Sequence, residues 1–331
     1  MRILKDNDYK TFEKIAMLSQ DSLKSVMTTF LKKKYKDVVA TNAYVYAEGN
    51  IPIGLVAHLD TVFSKPPVEI FYDTRKNVMW SPQGLGADDR AGIFAIIKII
   101  QSGLRPHIIL TTDEEIGGVG ATELAKLPCP FKDLRYLIQL DRRGTNDCVF
   151  YDCDNVDFIE YVEEFGFTEA WGSFSDISVL CPAWEIAGVN LSVGYRDEHS
   201  YEELLYVSPL LSTIDKVKKM LTAKNIPSFI YIPSLASFKT WNWRTGCGYD
   251  NNYLYMKCPC CGKNFSYEEL IPVQLLDGST IYMCVDCTVD PRNNIEFCEG
   301  CGEAFEYNDE DGWIPALCDK CRNKAIKKGA I

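Results

Sequence analysis

The sequence is poor in three features that would each have indicated a class of protein. Its longest apolar run near a predicted helix, Ala91 to Ile100, contains Lys98 and is too short to span a bilayer. Basic residues are outnumbered, 35 against 46 acidic ones, so the formal charge is -11. This balance argues against nonspecific binding to nucleic acid or to anionic lipid. The N-terminus also lacks the apolar core of a signal peptide, so we expect a cytoplasmic protein.

Cysteine, in contrast, is abundant and clustered. Nine of the fourteen cysteines lie between Cys258 and Cys321. With no export signal, this clustering indicates metal binding rather than disulfide bonds, and a redox role for the C-x-x-C pairs is the alternative. Eight of the nine form four C-x-x-C pairs, namely Cys258 with Cys261, Cys284 with Cys287, Cys298 with Cys301, and Cys318 with Cys321.

The spacing of these pairs predicts two zinc ribbons, each with one structural zinc held by four cysteines. Residues 262–283 separate the first two pairs and residues 302–317 the last two, which is typical of a hairpin between the two halves of a zinc site. Cys260 is left over, either as a free thiol or as a substitute ligand. Modules this small need the metal for most of their folding free energy.

The charge of the cysteine-rich segment bears on its partners. Residues 257–331 contain thirteen acidic and eight basic side chains, which disfavours nucleic acid except at the basic tail, residues 322–328. We expect the ribbons to contact a protein partner or to cover a cleft in the preceding part of the chain.

Strand-like and helix-like runs alternate through the N-terminal two-thirds. This alternation predicts the α/β class, with a mostly parallel mixed sheet sandwiched by helices. Residues 8–35 are predicted to form one amphipathic helix, and residues 204–221 another with a break near Ser208 and Pro209. The predicted domains are residues 1–225, a linker at 226–256, and the two ribbons at 257–292 and 293–331.

Histidine is scarce, which makes the position of each one informative. Of the three, His107 precedes a buried strand and is expected to be structural, whereas His58 and His199 accompany acidic motifs. Three motifs each follow an apolar run, and we interpret them, together with Asp141 and His199, as the ligands of a two-metal hydrolytic site. The motifs are A-H-L-D-T at 57–61, G-A-D-D-R-A-G at 86–92 and D-E-E-I-G-G at 113–118.

In this order, the motifs H-x-D-T, G-A-D-D-x-A-G and D-E-E-x-G resemble those of the co-catalytic zinc exopeptidases, the M20, M28 and M42 families. The resemblance covers about residues 8–222 and implies a metallopeptidase, either an aminopeptidase or a di/tripeptidase, that hydrolyses short peptides. It implies two catalytic zinc ions, with manganese or cobalt as alternatives. Asp141 and His199 are too close in sequence to enclose a lid or dimerisation domain of roughly 100 residues. The architecture is thus closest to the M28-like aminopeptidases, although two motifs look more like peptidase T.

The resemblance also implies a role for each site residue. Asp89 is expected to bridge the two metals in preference to Asp88, because the bridging aspartate of the family directly precedes the x-A-G step. Glu114 is the general base, which takes a proton from the attacking water and returns one to the leaving amine. Asp60 orients His58. The remaining implied ligands are His58 and Asp141 for the first metal, and Glu115 and His199 for the second.

Each motif also has a structural interpretation when taken alone. The Asp88–Asp89 pair suits a helix cap, and the Glu114–Glu115 pair suits the first turn of a helix. Three arginines beside the implied ligands would either bind a substrate carboxylate or pair with the acids, and we favour pairing; they are Arg142, Arg143 and Arg196. Residues 173–176 are predicted to line the pocket. The functional alternatives are an amidohydrolase of the same clan acting on N-acyl amino acids, and a catalytically idle adaptor whose ribbons are the function.

Overall fold

The structure is a computed structural model that describes residues 3–233, 256–265, 270–276, 280–298, 304–307, 317–318 and 321–322. The chain divides into two compact units, Met1–Lys239 and Thr240–Ile331. The end of the first unit falls within residues 226–256, the segment predicted to be a linker. Across the described ranges, every helix is too short or too polar to cross a membrane.

The first unit alternates strands with helices, as its sequence predicts. Its helices are α1 (Asp6–Ala16), α2 (Gln20–Lys32), α3 (Ala87–Gln101), α4 (Val119–Ala125), α5 (Val156–Glu163), α6 (Asp176–Trp184) and α7 (Val207–Leu221). Its strands are β1 (Val38–Ala40), β2 (Tyr44–Ala47), β3 (Ile51–His58), β4 (Phe71–Asp73), β5 (Val78–Trp80), β6 (Pro106–Thr111), β7 (Tyr136–Arg142), β8 (Asp147–Val149), β9 (Thr168–Glu169), β10 (Gly188–Ser192), β11 (Tyr195–Arg196) and β12 (Leu204–Tyr206).

Eight strands form the main sheet, in the order β1-β2-β6-β3-β7-β10-β8-β9. Strands β6, β3, β7 and β10 are parallel neighbours, while β2 and β8 pair antiparallel on either side of them. The sheet is therefore mixed with a parallel centre, which confirms the predicted fold class. The segment between Asp141 and His199, which the structure describes throughout, contributes strands and helices to this architecture, and no separate domain is inserted there.

Successive residues of the central strands are buried on opposite faces of the sheet, in two different apolar cores. On β3, Leu55 and Ala57 join the larger apolar core, whereas Val56 joins the smaller core on the opposite face. The larger core includes side chains of α1, α2, α3, α5 and α7, and the smaller one those of α4 and α6. Strands covered on both faces are fixed in position, which makes the edge where they end a rigid platform.

Two predicted helices differ from the observed structure. The helix predicted over 8–35 is two helices, because Ser19 caps α2 by accepting a hydrogen bond from the N–H of Ser22 (3.4 Å). The helix predicted over 204–221 begins at Val207. Leu204–Tyr206 is instead the strand β12, because its backbone pairs antiparallel with β5 and β11.

A second, four-stranded sheet has the order β11-β12-β5-β4 and is antiparallel throughout. Strands β4 and β5 pair antiparallel as a hairpin. The loop between β11 and β12, residues 197–203, carries His199. This sheet therefore presents one candidate ligand, while the main sheet and its connections present the others.

Residues 226–233 lie against the first unit. Phe229 is buried in the larger core, and its carbonyl accepts a hydrogen bond from the N–H of Ala187 (3.0 Å). Isolated bridges join Ile230 to Ile186 and Pro233 to Cys153. The beginning of the predicted linker thus packs as part of this unit.

The second unit is built from short strands. Strands β13 (Met256–Lys257) and β14 (Asn264–Phe265) form a hairpin. A separate sheet has the order β16-β15-β18-β17, in which β15 and β18 are parallel, so the described parts of both cysteine modules share one sheet. Its elements are β15 (Leu270–Gln274), β16 (Thr280–Cys284), α8 (Val285–Thr288), a 3₁₀ turn (Pro291–Asn293), β17 (Ile295–Phe297) and β18 (Ala304–Glu306).

Candidate metal centre

The acidic motifs converge at the carboxyl edge of the parallel strands. His58 is the last residue of β3, Asp141 lies near the end of β7, and the turn carrying Glu114 and Glu115 follows β6 directly. Because β3 is hydrogen-bonded to both β6 and β7, these three strand ends are adjacent. Open α/β sheets form their sites at such an edge.

Asp88 lies between the two histidines. Its Oδ1 is 3.0 Å from His58 Nε2, and its Oδ2 is 3.3 Å from His199 Nε2. The carboxyl group of Asp89 faces elsewhere, accepting hydrogen bonds from the N–H groups of His58 (3.2 Å) and Gly92 (2.8 Å). Asp88, and not Asp89, thus faces both histidines, whereas the sequence predicted the position between the metals for Asp89. The peptide bond between the two aspartates is cis.

Two groups of ligand-type atoms share Asp88. The first consists of His58, Asp88 and Asp141, and the second of Asp88, Glu115 and His199; within each group the ligand atoms lie within 4.8 Å of one another. His58 Nε2 is 3.5 Å from Asp141 Oδ1, and His199 Nε2 is 3.1 Å from Glu115 Oε2. The structure therefore brings His58 close to Asp141 and His199 close to Glu115, with Asp88 shared by the two groups.

Asp60 fixes the geometry of its neighbours from behind the cluster. Its Oδ1 is 3.2 Å from His58 Nδ1, the ring nitrogen that faces away from Asp88. Its two oxygens also accept hydrogen bonds from the N–H groups of Glu114 (3.1 Å) and Glu115 (3.0 Å). One carboxylate thus contacts the imidazole and holds the turn that presents both glutamates.

The carboxylates make this region strongly attractive to positive charge. Hydrogen bonds with Asp88 and Glu115 raise the pKa of His199 to about 11. Burial opposes protonation of His58 and is the largest single effect, but Asp141, Asp60 and Asp88 together outweigh it and raise the pKa of this imidazole well above its usual value. Burial raises the pKa of the Asp141 carboxyl in turn. Divalent cations would therefore compete with protons for the histidine nitrogens beside these carboxylates.

Glu114 stands beside the cluster. An oxygen of its carboxyl group lies within 4.8 Å of ligand atoms of His58 and Glu115. Burial raises the pKa of Glu114 well above its ordinary range. A carboxyl group with a raised pKa next to a site that activates water is suited to take up a proton and pass it on.

Glu114 also faces a cavity of about 160 Å³, which the cluster and several neighbouring side chains line. Ser173 and Phe174 belong to this lining, as predicted for residues 173–176. Asp176, in the same predicted segment, is instead fully buried and accepts a hydrogen bond from Thr111 Oγ1 (2.6 Å).

The three arginines have partners of different kinds. Arg143 pairs with Glu198 (2.9 Å), an acid outside the two ligand groups. Arg142 donates to the backbone carbonyl of Trp171 (2.9 Å), and the guanidinium of Arg196 lies 5.3 Å from the ring centre of Tyr206. Arg143 and Arg196 line a second, more open cavity of about 610 Å³ that also reaches His199.

His107 has the structural role expected of it. It is fully buried, its Nδ1 accepts a hydrogen bond from the N–H of Gly49 (3.1 Å), and its Nε2 is 3.0 Å from Asp133. Its ring also stacks on Phe131, with 4.3 Å between the ring centres. These contacts lie away from the acidic cluster.

Sequence reasoning missed two residues that support the cluster. Tyr195 donates a hydrogen bond from its hydroxyl to Asp141 Oδ1 (3.1 Å), and nothing in its sequence context indicates this contact. Glu203 accepts hydrogen bonds from the N–H groups of Ala87 (3.0 Å) and Asp88 (3.1 Å). For Glu203, the signal in the sequence is an acidic residue four positions after His199.

The cysteines of the second unit form two further clusters. Four sulfurs come together in the first, those of Cys258, Cys261, Cys284 and Cys287. The other cysteine cluster consists of Cys298, Cys318 and Cys321, and within it the N–H of Cys318 donates a hydrogen bond to Cys298 Sγ (3.3 Å). Cys301, the fourth expected ligand there, lies outside the described residues.

The thiol of Cys258 has a lowered pKa, which favours its thiolate form. Burial opposes the thiolate, but backbone N–H groups, led by that of Cys261, lower the pKa of Cys258 to about 6. Thiolates are the form in which cysteine binds metal.

The first unit has the fold of known aminopeptidases and tripeptidases. It is similar to a tripeptidase from Staphylococcus aureus subsp. aureus mu50, with a TM-score of 0.54 and 15% identity over 66% of this chain and 97% of that one. For aminopeptidase PepT from Bacillus cereus ATCC 10987 the TM-score is 0.52, with 15% identity over 65% and 97% of the two chains. For a TET aminopeptidase from Thaumarchaeota archaeon SCGC AB-539-E09 it is 0.52, with 13% identity over 67% and 98%. Neither a family model nor a curated protein matches the sequence.

Proposed function

We propose that the first unit is a two-metal exopeptidase that hydrolyses short peptides. The observation that carries this proposal is the position of Asp88, whose two oxygens face separate sets of one histidine and one carboxylate. A shared carboxylate between two such sets is the arrangement that co-catalytic metal hydrolases use. The fold supports the substrate class, because the similar structures include a tripeptidase and two aminopeptidases.

The donor set fits two divalent cations. Imidazole and carboxylate ligands suit zinc, and manganese or cobalt also accept them. Glu115 gives further support for a bound cation, because its Oε1 is buried and has no hydrogen-bond partner among the described residues. A buried carboxylate oxygen left without a partner is costly unless a cation satisfies it. His58 and Asp141 would hold one ion, Glu115 and His199 the other, and Asp88 both.

The residues around the ions divide the chemistry between them. When bound, the cations supply Lewis acidity that activates water and polarises the scissile carbonyl. Glu114 takes the proton of the attacking water on its carboxylate and delivers a proton to the nitrogen of the leaving amine. Asp60 holds the His58 imidazole in one tautomer and fixes the Glu114 turn, so that Glu114 needs little rearrangement during the reaction.

The spaces beside the cluster agree with a small substrate. The cavity that contains Glu114 is about 160 Å³, and the neighbouring open cavity is about 610 Å³. Arg143 and Glu198 form an ion pair that contributes to both linings and offers both charges to a peptide terminus. Either end of a short peptide therefore has a charged partner within reach of the metals.

For the second unit we propose two structural zinc sites. Cys258, Cys261, Cys284 and Cys287 would hold one ion, and Cys298, Cys301, Cys318 and Cys321 the other, because thiolates select zinc. Together with the catalytic pair this makes four zinc ions per chain. Contact with a protein partner through these ribbons and a location in the cytoplasm are further parts of the proposal, both resting on the sequence.

Substitution of Glu114 by Gln tests the mechanism. Glutamine keeps the size of the side chain but cannot accept a proton, so we expect hydrolysis of short peptides to fall by about 10²–10⁴-fold. Metal content should stay equal to that of the native chain, because Glu114 is not a proposed ligand. Glu123→Gln, on the exposed part of α4, is the matched control and should change neither quantity. Full turnover by the Glu114 variant would exclude the mechanism.

A panel of peptides blocked at one end tests the substrate class. An aminopeptidase loses substrates whose α-amine is acylated, whereas an amidohydrolase acting on N-acyl amino acids requires that acyl group. We expect free peptides of two or three residues to be cleaved and acyl amino acids to be spared. Cleavage of acyl amino acids alone would replace the proposed reaction with that of the amidohydrolase, and no cleavage of either would favour the idle adaptor.

A further inference from the structure

The group of Asp88, Glu115 and His199 draws on three segments, and those that carry Asp88 and His199 come from different parts of the fold. Asp88 is at the start of α3, directly after the turn at Gly86. His199 is in the loop of residues 197–203 between β11 and β12, in the smaller sheet. The side chain of His199 is half-exposed, at 51%, whereas Asp88 is 9% exposed. Something must hold the exposed loop in register with the buried turn.

Glu203 makes that connection. It ends the His199 loop and is only 1% exposed. Its Oε2 accepts a hydrogen bond from the N–H of Ala87 (3.0 Å), and its Oε1 accepts one from the N–H of Asp88 (3.1 Å). The two carboxylate oxygens of Glu203 thus accept hydrogen bonds from two consecutive backbone N–H groups. The second of these N–H groups belongs to Asp88, the residue that both ligand groups share.

The loop closes on itself near the same point. The N–H of Glu203 donates to the carbonyl of Ser200 (3.3 Å), and Ser200 Oγ donates to the carbonyl of Asp197 (2.7 Å). His199 lies inside this folded loop with a positive φ of 62°. The position of its imidazole therefore follows the position of the loop, and Glu203 fixes the loop to the Asp88 turn.

A simple helix cap would explain part of this contact. The first N–H groups of α3 lack partners within the helix, and a carboxylate there is stabilising. A cap alone, however, needs no connection to a metal ligand. Here the capping acid is four residues from His199, so the same bonds that satisfy the helix also set the distance between Asp88 and His199.

We propose that Glu203 is a positioning residue that keeps Asp88 and His199 at the spacing the second metal requires. This inference rests on the proposed two-metal function. It assigns to Glu203 no contact with substrate or metal. Asp88 would also bind the first metal, but the other two ligands proposed there, His58 and Asp141, are held by the main sheet, so affinity for the first ion should change much less than affinity for the second.

Binding of Mn²⁺ to the full-length chain tests the proposal. Mn²⁺ prefers carboxylate and imidazole over thiolate, so it reports on the first unit with little contribution from the cysteines. The chain is freed of exchangeable metal by mild dialysis against EDTA and titrated with MnCl2. Calorimetry gives the two affinities, and electron paramagnetic resonance distinguishes a single ion from a magnetically coupled pair.

In Glu203→Gln one oxygen acceptor is replaced by an amide that faces a backbone N–H. We expect the affinity for the second ion to fall by about 10–100-fold, with the first changed by less than about threefold. The signal of the coupled pair should appear only at higher MnCl2. Glu202→Gln, at the exposed neighbouring position, is the matched control and should bind both ions as the native chain does.

Glu203→Asp provides a second variant should Glu203→Gln not fold. It retains the carboxylate but shortens its reach by one methylene, so the loss is again expected at the second ion alone. Unchanged affinities for both ions, or an equal loss at both, would overturn the positioning role. Failure of the native chain itself to bind a pair of Mn²⁺ ions would instead overturn the two-metal function, so the two failures are distinguishable.

Discussion

The two units hold their candidate ligands in opposite ways. In the first, His58 and Asp141 end strands that are buried on both faces by large apolar cores. In the second, the two described apolar clusters are small, and five of their buried members are cysteines, namely Cys258, Cys284, Cys287, Cys298 and Cys318. A metal in the first unit would therefore enter a site that the sheet has already built, whereas in the second unit the metal would form part of the core.

Metal removal is expected to separate the units most sharply. Prolonged treatment of the full chain with EDTA should unfold the second unit, because structural zinc in small modules supplies on the order of 10 kcal/mol of folding free energy. The first unit should stay folded on its apolar core. Limited proteolysis followed by mass spectrometry reads both at once: cuts should appear throughout 256–322 while 3–233 stays protected. ZnCl2 added before the protease should restore protection of the second unit.

The same experiment can contradict the comparison in either direction. A second unit that resists the protease without metal would have a sufficient core of its own. A first unit that becomes sensitive together with the second would show that its carboxylate cluster needs the cations to fold.

The paired substitutions Asp88→Asn and Asp89→Asn test how the first site is built. Asp88→Asn removes the charge shared by both clusters, so we expect loss of metal and a fall in hydrolysis of at least about 10²-fold. Asp89→Asn leaves the clusters intact. The asparagine has one side-chain oxygen, however, so it can accept only one of the two hydrogen bonds that the separate oxygens of Asp89 accept from backbone N–H groups. Its cost should be about 1–3 kcal/mol of stability, seen in thermal unfolding, with both metals retained.

Each of these variants is the control for the other, because the two residues are adjacent and chemically identical. Loss of metal in the Asp89 variant with retention in the Asp88 variant would return the bridging role to Asp89.

The Asp88–Asp89 pair also shows where sequence reasoning ended. The motifs predicted which strand ends meet, because apolar runs followed by acids indicate parallel strands with a shared edge. Which of two neighbouring aspartates faces the histidines depends on backbone torsions at the start of α3, where Asp88 (ψ 102°) and Asp89 (ψ 42°) both depart from helical values. No residue pattern encodes that local geometry.

Tertiary pairing accounts for other differences. Leu204–Tyr206 has a pattern compatible with a helix, yet its backbone finds partners in β5 and β11 and becomes a strand. Helix α6 forms although it contains Pro182, a residue type that usually ends a helix. The break after α1 was in principle readable, because Ser19 is a favourable N-cap before an apolar helix.

The last expected effect concerns protons at the first site. Because the pKa of His199 is raised to about 11 and that of His58 well above its usual value, the protonated form of both imidazoles is favoured in the metal-free chain, and a cation must displace those protons. Mn²⁺ affinity should therefore increase as the pH rises from 6 to 8, by about tenfold per pH unit for each proton released. Calorimetric titrations with MnCl2 in two buffers of different ionisation enthalpy measure that number directly. We expect between one and two protons per pair of ions, and about one fewer in His199→Asn; binding heats that are the same in both buffers would mean that the carboxylates do not hold the histidines in their charged form.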